Sequence, residues 1–383
     1  MHQTVWVMRF SEDGQYLAVA GKTKKISIFE MDSTGSAILK LYKTFEGHTD
    51  SILDLSWSKN NFLLSSSMDT TVRLWHASKN FCLCVFDHLD VVPTVRFHPR
   101  DDRLFLSGSL DSRVRLWSIP KKKVSHWADL QRGDSVTAVS FSENGNIAIV
   151  GSSQGNCYFY KAEKLTYITQ IKVRSKKGKN SHGSKICSIH PLPGDVEKIL
   201  ITTNDSRLRI YSLKSKSLFC KYSGLKNDSS QINATFSDDG EYIISGSEDQ
   251  RVCIWNTSGK FDRKMKLNPF GFGKSRIDSY ESFLAMPAQV TSAIFAPSSF
   301  KFKLEVNNLR PPHSGHIIIC SDYNGVVRVF DNNPVSYIPP AVSSSALFLN
   351  SSKCPKCGSL NVSSLKASKV ACMDCDQVFN EPT

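Results

Sequence analysis

The 383-residue sequence predicts an all-β fold, a seven-bladed β-propeller, with a small metal-binding domain near its C-terminal end. Two observations predict the propeller and a third the small domain. The stretch SSSMDTTVRLWH (65–76) returns as SGSLDSRVRLWS (107–118) and SGSEDQRVCIWN (245–256), an Asp turn running into an alternating strand that reaches Trp. Aligned along the chain, this pattern yields seven copies, with steps of 42–51 residues and a last step of 75. A four-stranded unit of that size cannot bury both faces alone, whereas seven packed radially do so. The third observation is that four of the eleven cysteines fall within the last thirty residues.

Each repeat reads as strand, Gly turn, strand, Asp turn, strand, loop, strand. The early strands carry the anchors Phe10, Trp57, Phe97, Phe141, Ile189, Phe236 and Phe295. The later ones end on Phe29, Trp75, Trp117, Tyr160, Tyr211, Trp255 and Phe330. SEDGQY (11–16), SENGNI (142–147) and SDDGEY (237–242) supply Asp-Gly or Asn-Gly turns, where glycine takes the positive φ a tight hairpin needs. The chain opens on the innermost strand of blade one. The outermost strand of blade seven is therefore expected after Phe330, within VSYIPPAVSSSALFL (335–349). The propeller is assigned to 1–340, a linker or closing strand to 341–350, and the small domain to 351–383.

The repeated stretch resembles the WD-repeat motif, in which a loop His, a strand Ser, a turn Asp and the Trp form a buried hydrogen-bonded set. The resemblance implies His48, Ser67, Asp69 and Trp75 in repeat two, and His88, Ser109, Asp111 and Trp117 in repeat three. Repeat six keeps Ser247, Asp249 and Trp255. In such a set Asp accepts from His and from the turn, and Ser accepts the indole N–H. Ser, His and Asp also suggest hydrolase chemistry, but a catalytic set needs one exposed nucleophile beside an oxyanion site. A repeated set tied to a Trp is structural, and no enzyme activity is expected.

LDLSWSKNNFLLSSSMDTTVRLWH (53–76), FHPRDDRLFLSGSLDSRVRLW (97–117), SSQINATFS (229–237) and VTSAIFAPS (290–298) narrow the match. They resemble the propeller of the Rab-binding (rabphilin-eleven-like) WD-repeat family over about residues 5–330. That resemblance implies a non-catalytic protein-interaction scaffold in Rab-linked endosomal or secretory traffic, with a Rab-family GTPase or trafficking complex as partner. It places the protein in the cytoplasm, peripheral on endosomal or Golgi membranes. In the family's animal member the Rab-binding segment lies upstream of the propeller, so no Rab contact is assigned to a residue here.

The tail reads CPKCGSLNVSSLKASKVACMDC (354–375), two Cys-x2-Cys pairs separated by fourteen residues. Thiolate knuckles at that spacing converge tetrahedrally on a metal, and Cys354, Cys357, Cys372 and Cys375 are the expected ligands of a structural Zn2+. Iron also suits four thiolates. CPKCGS and CMDCDQVF also resemble the two knuckles of a zinc ribbon. The remaining cysteines are scattered through strand-like segments as small apolar residues, the pattern of a reducing compartment rather than of a disulfide framework.

The net charge of +13 favours acidic or phosphate-rich partners. Lys172, Arg174, Lys176, Lys177, Lys179 and Lys185 fall in KVRSKKGKNSHGSK (172–185), which contains no acid. Solvated hairpin decoration, contact with an anionic membrane surface and nucleic-acid binding are the three readings. The loop lacks the interleaved aromatics that base stacking uses, so the alternative function, a nucleic-acid-associated factor using the ribbon and basic surface, ranks behind the scaffold. NPFGFGKS (268–275) has Asn268 where a phosphate-binding loop requires glycine, and reads as an insertion between strands. No run of about 18 apolar residues exists to form a membrane-spanning helix, and MHQTVWVMRF has no signal-peptide pattern.

Overall fold

The computed structural model describes residues 3–31, 39–174, 183–257, 275–299 and 316–331, together with the backbone of three short strands between 362 and 380. The architecture is the expected seven-bladed propeller. Blade one comprises β1 (Val5–Phe10), β2 (Tyr16–Gly21), β3 (Ile26–Met31) and β4 (Leu39–Phe45). Blade two holds β5 (Ile52–Trp57), β6 (Phe62–Ser67), β7 (Thr71–His76) and β8 (Cys84–Asp87). Blade three holds β9 (Thr94–His98), β10 (Asp101–Gly108), β11 (Arg113–Ser118) and β12 (Lys123–Asp129). Blade four holds β13 (Val136–Phe141), β14 (Ile147–Ser152), β15 (Asn156–Lys161) and β16 (Thr166–Lys172).

Blade five is β17 (Ile186–Leu192), β18 (Asp195–Thr203), β19 (Arg207–Ser212) and β20 (Leu218–Tyr222), extended by β24 (Ser275–Ile277). Blade six is β21 (Ala234–Phe236), β22 (Tyr242–Gly246), β23 (Arg251–Asn256) and β25 (Glu281–Leu284). Blade seven has the described strands β26 (Val290–Phe295), β27 (Ile317–Asp322) and β28 (Val327–Asp331). The closing strand expected within 335–349 lies outside the described residues. The insertion between β23 and β25 does more than connect them. Its end pairs parallel with β20, Cys220 opposite Ser275 and Tyr222 opposite Ile277, so a fifth strand is added to the preceding blade.

The anchors and closing aromatics meet because register places them on one level. Phe10, Leu17 and Phe29 stand opposite one another across three strands of blade one. Trp57, Leu63 and Trp75 do so in blade two, and Phe97, Phe105 and Trp117 in blade three. In blade five the same level holds Pro191, Ile199 and Tyr211. The anchor there is Pro191 rather than Ile189. With a side-chain period of two, a slip of two residues keeps the face but moves the side chain one layer along the strand.

These layers form seven apolar clusters, one between each pair of consecutive blades. The ring shuts through the cluster of blades one and seven, where Met8, Leu17 and Val19 pack with Ile294, Ile317 and Ile319. Thr291 Oγ1 adds a hydrogen bond to the Val5 carbonyl at 2.6 Å. Blade contact is close enough to require glycine at the end of some second strands. A Cβ on Gly246 would stand 2.4 Å from the Val290 carbonyl oxygen of the next blade.

Candidate functional site

The turn between the second and third strands of a blade needs one residue in the left-handed region. Thr70, Ser112, Ser206 and Gln250 take φ of 57–71° there. The preceding Asp compensates in part by accepting the amide two residues on: Thr71 N–H donates to Asp69 and Arg113 N–H to Asp111, both at 3.0 Å. What else the carboxylate does differs from blade to blade.

In blade two, His48 Nδ1–H donates to Asp69 at 2.7 Å, and Thr49 N–H reaches the same oxygen at 2.9 Å. His48 Nε2 is 2.7 Å from Ser65 Oγ, which accepts the Trp75 indole N–H at 2.8 Å. Ser65 thus sits between the indole N–H that it accepts and His48 Nε2, with His48 Nδ1 on Asp69. Burial alone would raise the Asp69 pKa, but hydrogen bonds from His48, Thr71 and Thr49 hold it well below the usual carboxylate range.

The serine of this set is Ser65, a correction to Ser67. In register, Trp75 is opposite Leu63, which places Ser65 diagonally next to the indole and Ser67 one layer too far along the strand. Ser67 Oγ instead donates to the Asp50 carbonyl at 3.1 Å. The same shift applies in blade three, where Ser107, not Ser109, joins His88 Nε2 (2.8 Å) to the Trp117 indole (2.9 Å).

Blade three departs further. Asp111 does not meet His88; it holds Arg115, whose Nη1 donates to it at 3.1 Å. His88 Nδ1–H turns to its own chain, donating to the Phe86 carbonyl at 3.1 Å. Blade five repeats the arginine arrangement with Asp205 and the fully buried Arg209. In blade six, Ser247 exchanges hydrogen bonds with the Lys226 backbone, Asp249 holds the turn amide of Arg251 at 3.4 Å, and the Trp255 indole donates to the Ser223 carbonyl at 2.9 Å. The arginines were legible as Arg four residues after the turn Asp in repeats two, three and five. Their capture of the carboxylate was not. In blade two Thr71 and His48 occupy both Asp69 oxygens. In blade two the set is sealed from solvent, with the side chains of His48 and Asp69 0% and 4% exposed.

The turns bring a different set of side chains to the surface. Around the channel mouth on the Asp-turn end lies a cavity of about 590 Å³, lined by Trp6, Met68, Leu110 and Tyr323 among others, with Lys22 and Lys185 on its wall and no acidic lining residue. Met68, Leu110 and Tyr323 are 38–45% exposed. Elsewhere on the surface, three exposed rings of the outer strands carry a cation: Lys43 lies over Tyr42, Arg113 over Trp127 and Lys198 over Phe219, at 4.5–4.8 Å. The signal for this mouth in the sequence was an apolar residue inside a turn, Met68 in S-M-D and Leu110 in S-L-D. Glu248 orders the rim by accepting the amides of Ser229 and Ser230 at 2.9 and 2.8 Å.

Of the basic stretch, Lys172 ends β16, Arg174 follows it, and Lys185 lines the mouth; Lys176, Lys177 and Lys179 lie outside the described residues. So do Cys354, Cys357 and Cys375, and of Cys372 only the backbone, in a short strand, is described.

Four segments, 39–76, 80–118, 126–161 and 220–256, match the family described as WD domain, G-beta repeat. Each match begins in the outermost strand of one blade and runs through the three inner strands of the next, so the sequence repeat straddles blades. The chain is 47% identical over 307 residues to WD repeat-containing protein 44 of Xenopus laevis, covering 75% of this chain and 33% of that protein. It is 34% identical to an uncharacterized WD repeat-containing protein of Schizosaccharomyces pombe, covering 77% and 54%, and 31% identical to 2-deoxy-glucose resistant protein 2 of Saccharomyces cerevisiae, covering 60% and 29%. The chain thus spans between under a third and about half of the length of these relatives.

Proposed function

With four segments matching the WD domain, G-beta repeat, this chain is a WD-repeat propeller, and from that premise we propose that it is a non-catalytic scaffold of Rab-linked membrane traffic. The observation that carries the interaction role is the apolar, cationic mouth on the Asp-turn end. Exposed contiguous apolar surface on a rigid ring, rimmed by polar groups, is the physical signature of a protein-binding site. The Rab-linked part rests on the family resemblance of the propeller sequence. The basic segment 172–185 adds a weak membrane contact, about 1 kcal/mol per cation near an anionic surface, that salt screens. Partner and lipid together then recruit what neither holds alone.

The test uses the purified chain against a panel of GTP-loaded Rab GTPases, with and without anionic vesicles, at low and high salt. Leu110→Asp puts a charge into the mouth without touching a blade core. It is expected to weaken capture of the bound GTPase at least tenfold while the β-sheet spectrum is unchanged. No Rab bound by the parent removes the Rab-linked reading. Binding that Leu110→Asp leaves intact removes the mouth as the contact.

We also propose the Zn2+ site on Cys354, Cys357, Cys372 and Cys375. Its support is the three-stranded antiparallel sheet of β29 (Val362–Leu365), β30 (Lys369–Cys372) and β31 (Val378–Asn380). The β29–β30 hairpin follows the first Cys-x2-Cys pair in the sequence and ends on Cys372, which stands opposite Val362. Bound zinc supplies cross-linking rather than chemistry. Metal analysis after zinc-replete expression is expected to find about one zinc per chain, and Cys372→Ser to lose it while the propeller stays folded. Less than half an equivalent in the parent would remove the site.

A further inference from the structure

The opposite, Gly-turn end of the channel has a chemistry of its own. Arg9, Ser56, Arg96, Ser140 and His190 each immediately precede the anchor of their innermost strand, and together they line a cavity of about 240 Å³. Three of the five are cationic or can become so, contributed by blades one, three and five.

Arg96 Nη1 donates to the Leu55 carbonyl at 3.5 Å and Ser140 Oγ to the Phe141 carbonyl at 3.2 Å, but other donors of this ring are not satisfied from within. Arg9 Nε and Nη2 and His190 Nε2 are buried and make no hydrogen bond among the described residues. Asp54 pairs with Arg9 by charge, 3.7 Å from its Nη2, but beyond hydrogen-bond length. Its oxygens already accept Thr94 Oγ1 at 3.1 Å, Val95 N–H at 3.2 Å and Leu55 N–H at 2.9 Å. Burial and the Arg96 charge pull Arg9 down to about 10, with Asp54 opposing only in part. Burial, then Arg9 and Arg96, holds His190 well below its ordinary value, so at neutral pH it is a neutral ring.

Buried guanidinium N–H groups without acceptors cost free energy, and the group that relieves them best is an oxyanion taking two N–H bonds from one plane. We infer that this end of the channel binds a small oxyanion of the phosphate class, held by Arg9 and Arg96 and accepting from His190 Nε2–H. The mouth limits what enters. Glu12, Asp102 and Glu143 line it beside Lys59 and His98, and burial followed by the nearby Asp102 and Glu143 charges raises the Glu12 pKa against the pull of Lys59. An acidic gate over a cationic floor disfavours polyphosphates and nucleic acid, and admits a compact ion of low charge.

The test measures binding of inorganic phosphate to the full chain by equilibrium dialysis, and melting temperature in phosphate against chloride at matched ionic strength. The parent is expected to bind about one phosphate and to melt higher in phosphate than in chloride. Arg9→Met removes a charged donor while keeping the stem, and is expected to weaken phosphate binding about tenfold or more and to abolish the phosphate-specific shift. Its melting temperature in chloride is expected to fall only modestly, because Asp54 loses its ion pair with Arg9 but keeps its hydrogen bonds from Thr94, Val95 and Leu55. If Arg9→Met does not fold, His190→Phe, which keeps a ring but no donor, serves the same comparison. A parent that melts alike in both salts and binds no phosphate, or a folded variant that binds as the parent does, overturns the site.

Discussion

Asp205→Ala is expected to lower the stability of the propeller by about 3–5 kcal/mol, read as a fall in the urea midpoint. The reason is Arg209, which is 1% exposed in the middle of blade five. Its Nη1 donates to Asp205 Oδ1 at 3.0 Å and also to Thr203 Oγ1, and its Nη2 reaches Asp205 Oδ2. Losing the carboxylate leaves a guanidinium where water cannot replace the lost countercharge. Arg209→Met fills similar volume without charge and is expected to cost under about 1.5 kcal/mol. Asp205→Ala combined with Arg209→Met should therefore recover most of the loss. A single Asp205→Ala variant that unfolds at the parent's midpoint would show that the pair carries no such energy.

Acid should weaken the fold well above the carboxylate range. In blade three, His88 Nδ1–H donates to the Phe86 carbonyl, and Nε2 meets Ser107 Oγ, which also accepts the Trp117 indole N–H. A second ring proton would put a charge in the core close to Arg115. Burial first, then the Arg115 charge, push His88 down to about 4. Between the unfolded value of about 6.5 and this folded value, the unfolded chain binds the extra proton and the folded chain does not. Stability from His88 is thus fully present above pH 6.5 and is lost as pH falls to 4, by about 3 kcal/mol in all. Urea midpoints at pH 7 and pH 4 should differ less in His88→Gln than in the parent, by roughly that amount. Identical pH profiles for the two proteins would rule out His88 as the source.

Much of the fold was legible because it depends on short-range chemistry repeated many times. The Asp-Gly and Asn-Gly turns place Gly14, Gly145 and Gly240 at φ of 65–79°. The alternation of VRLW and RVCIW encodes strands whose apolar side chains face the neighbouring blade. The interaction mouth was half legible: Met68 and Leu110 are apolar residues in turns, but only the ring brings them beside Trp6 and Tyr323, which are far from them in the sequence.

By itself, then, the sequence determined the seven-bladed propeller and the level of the aromatics in six of its blades, because a repeated period near 43 residues buries both faces of each unit in a closed ring. Tertiary structure decided the rest. It chose Ser65 over Ser67 and Ser107 over Ser109, since cross-strand register and not spacing from Asp sets which hydroxyl meets an indole. It gave Asp69 to a histidine and Asp111 and Asp205 to arginines, although all three turns share the Asp-to-Arg spacing, because the outcome depends on where a loop from the preceding segment delivers its donors. It moved the blade-five anchor to Pro191 and sent Ser275–Ile277 back to the edge of blade five. It also gathered Arg9, Arg96 and His190 about one axis. Period and propensity act within a few residues, while these choices are made between residues from separate blades, where only the closed ring sets distance and direction.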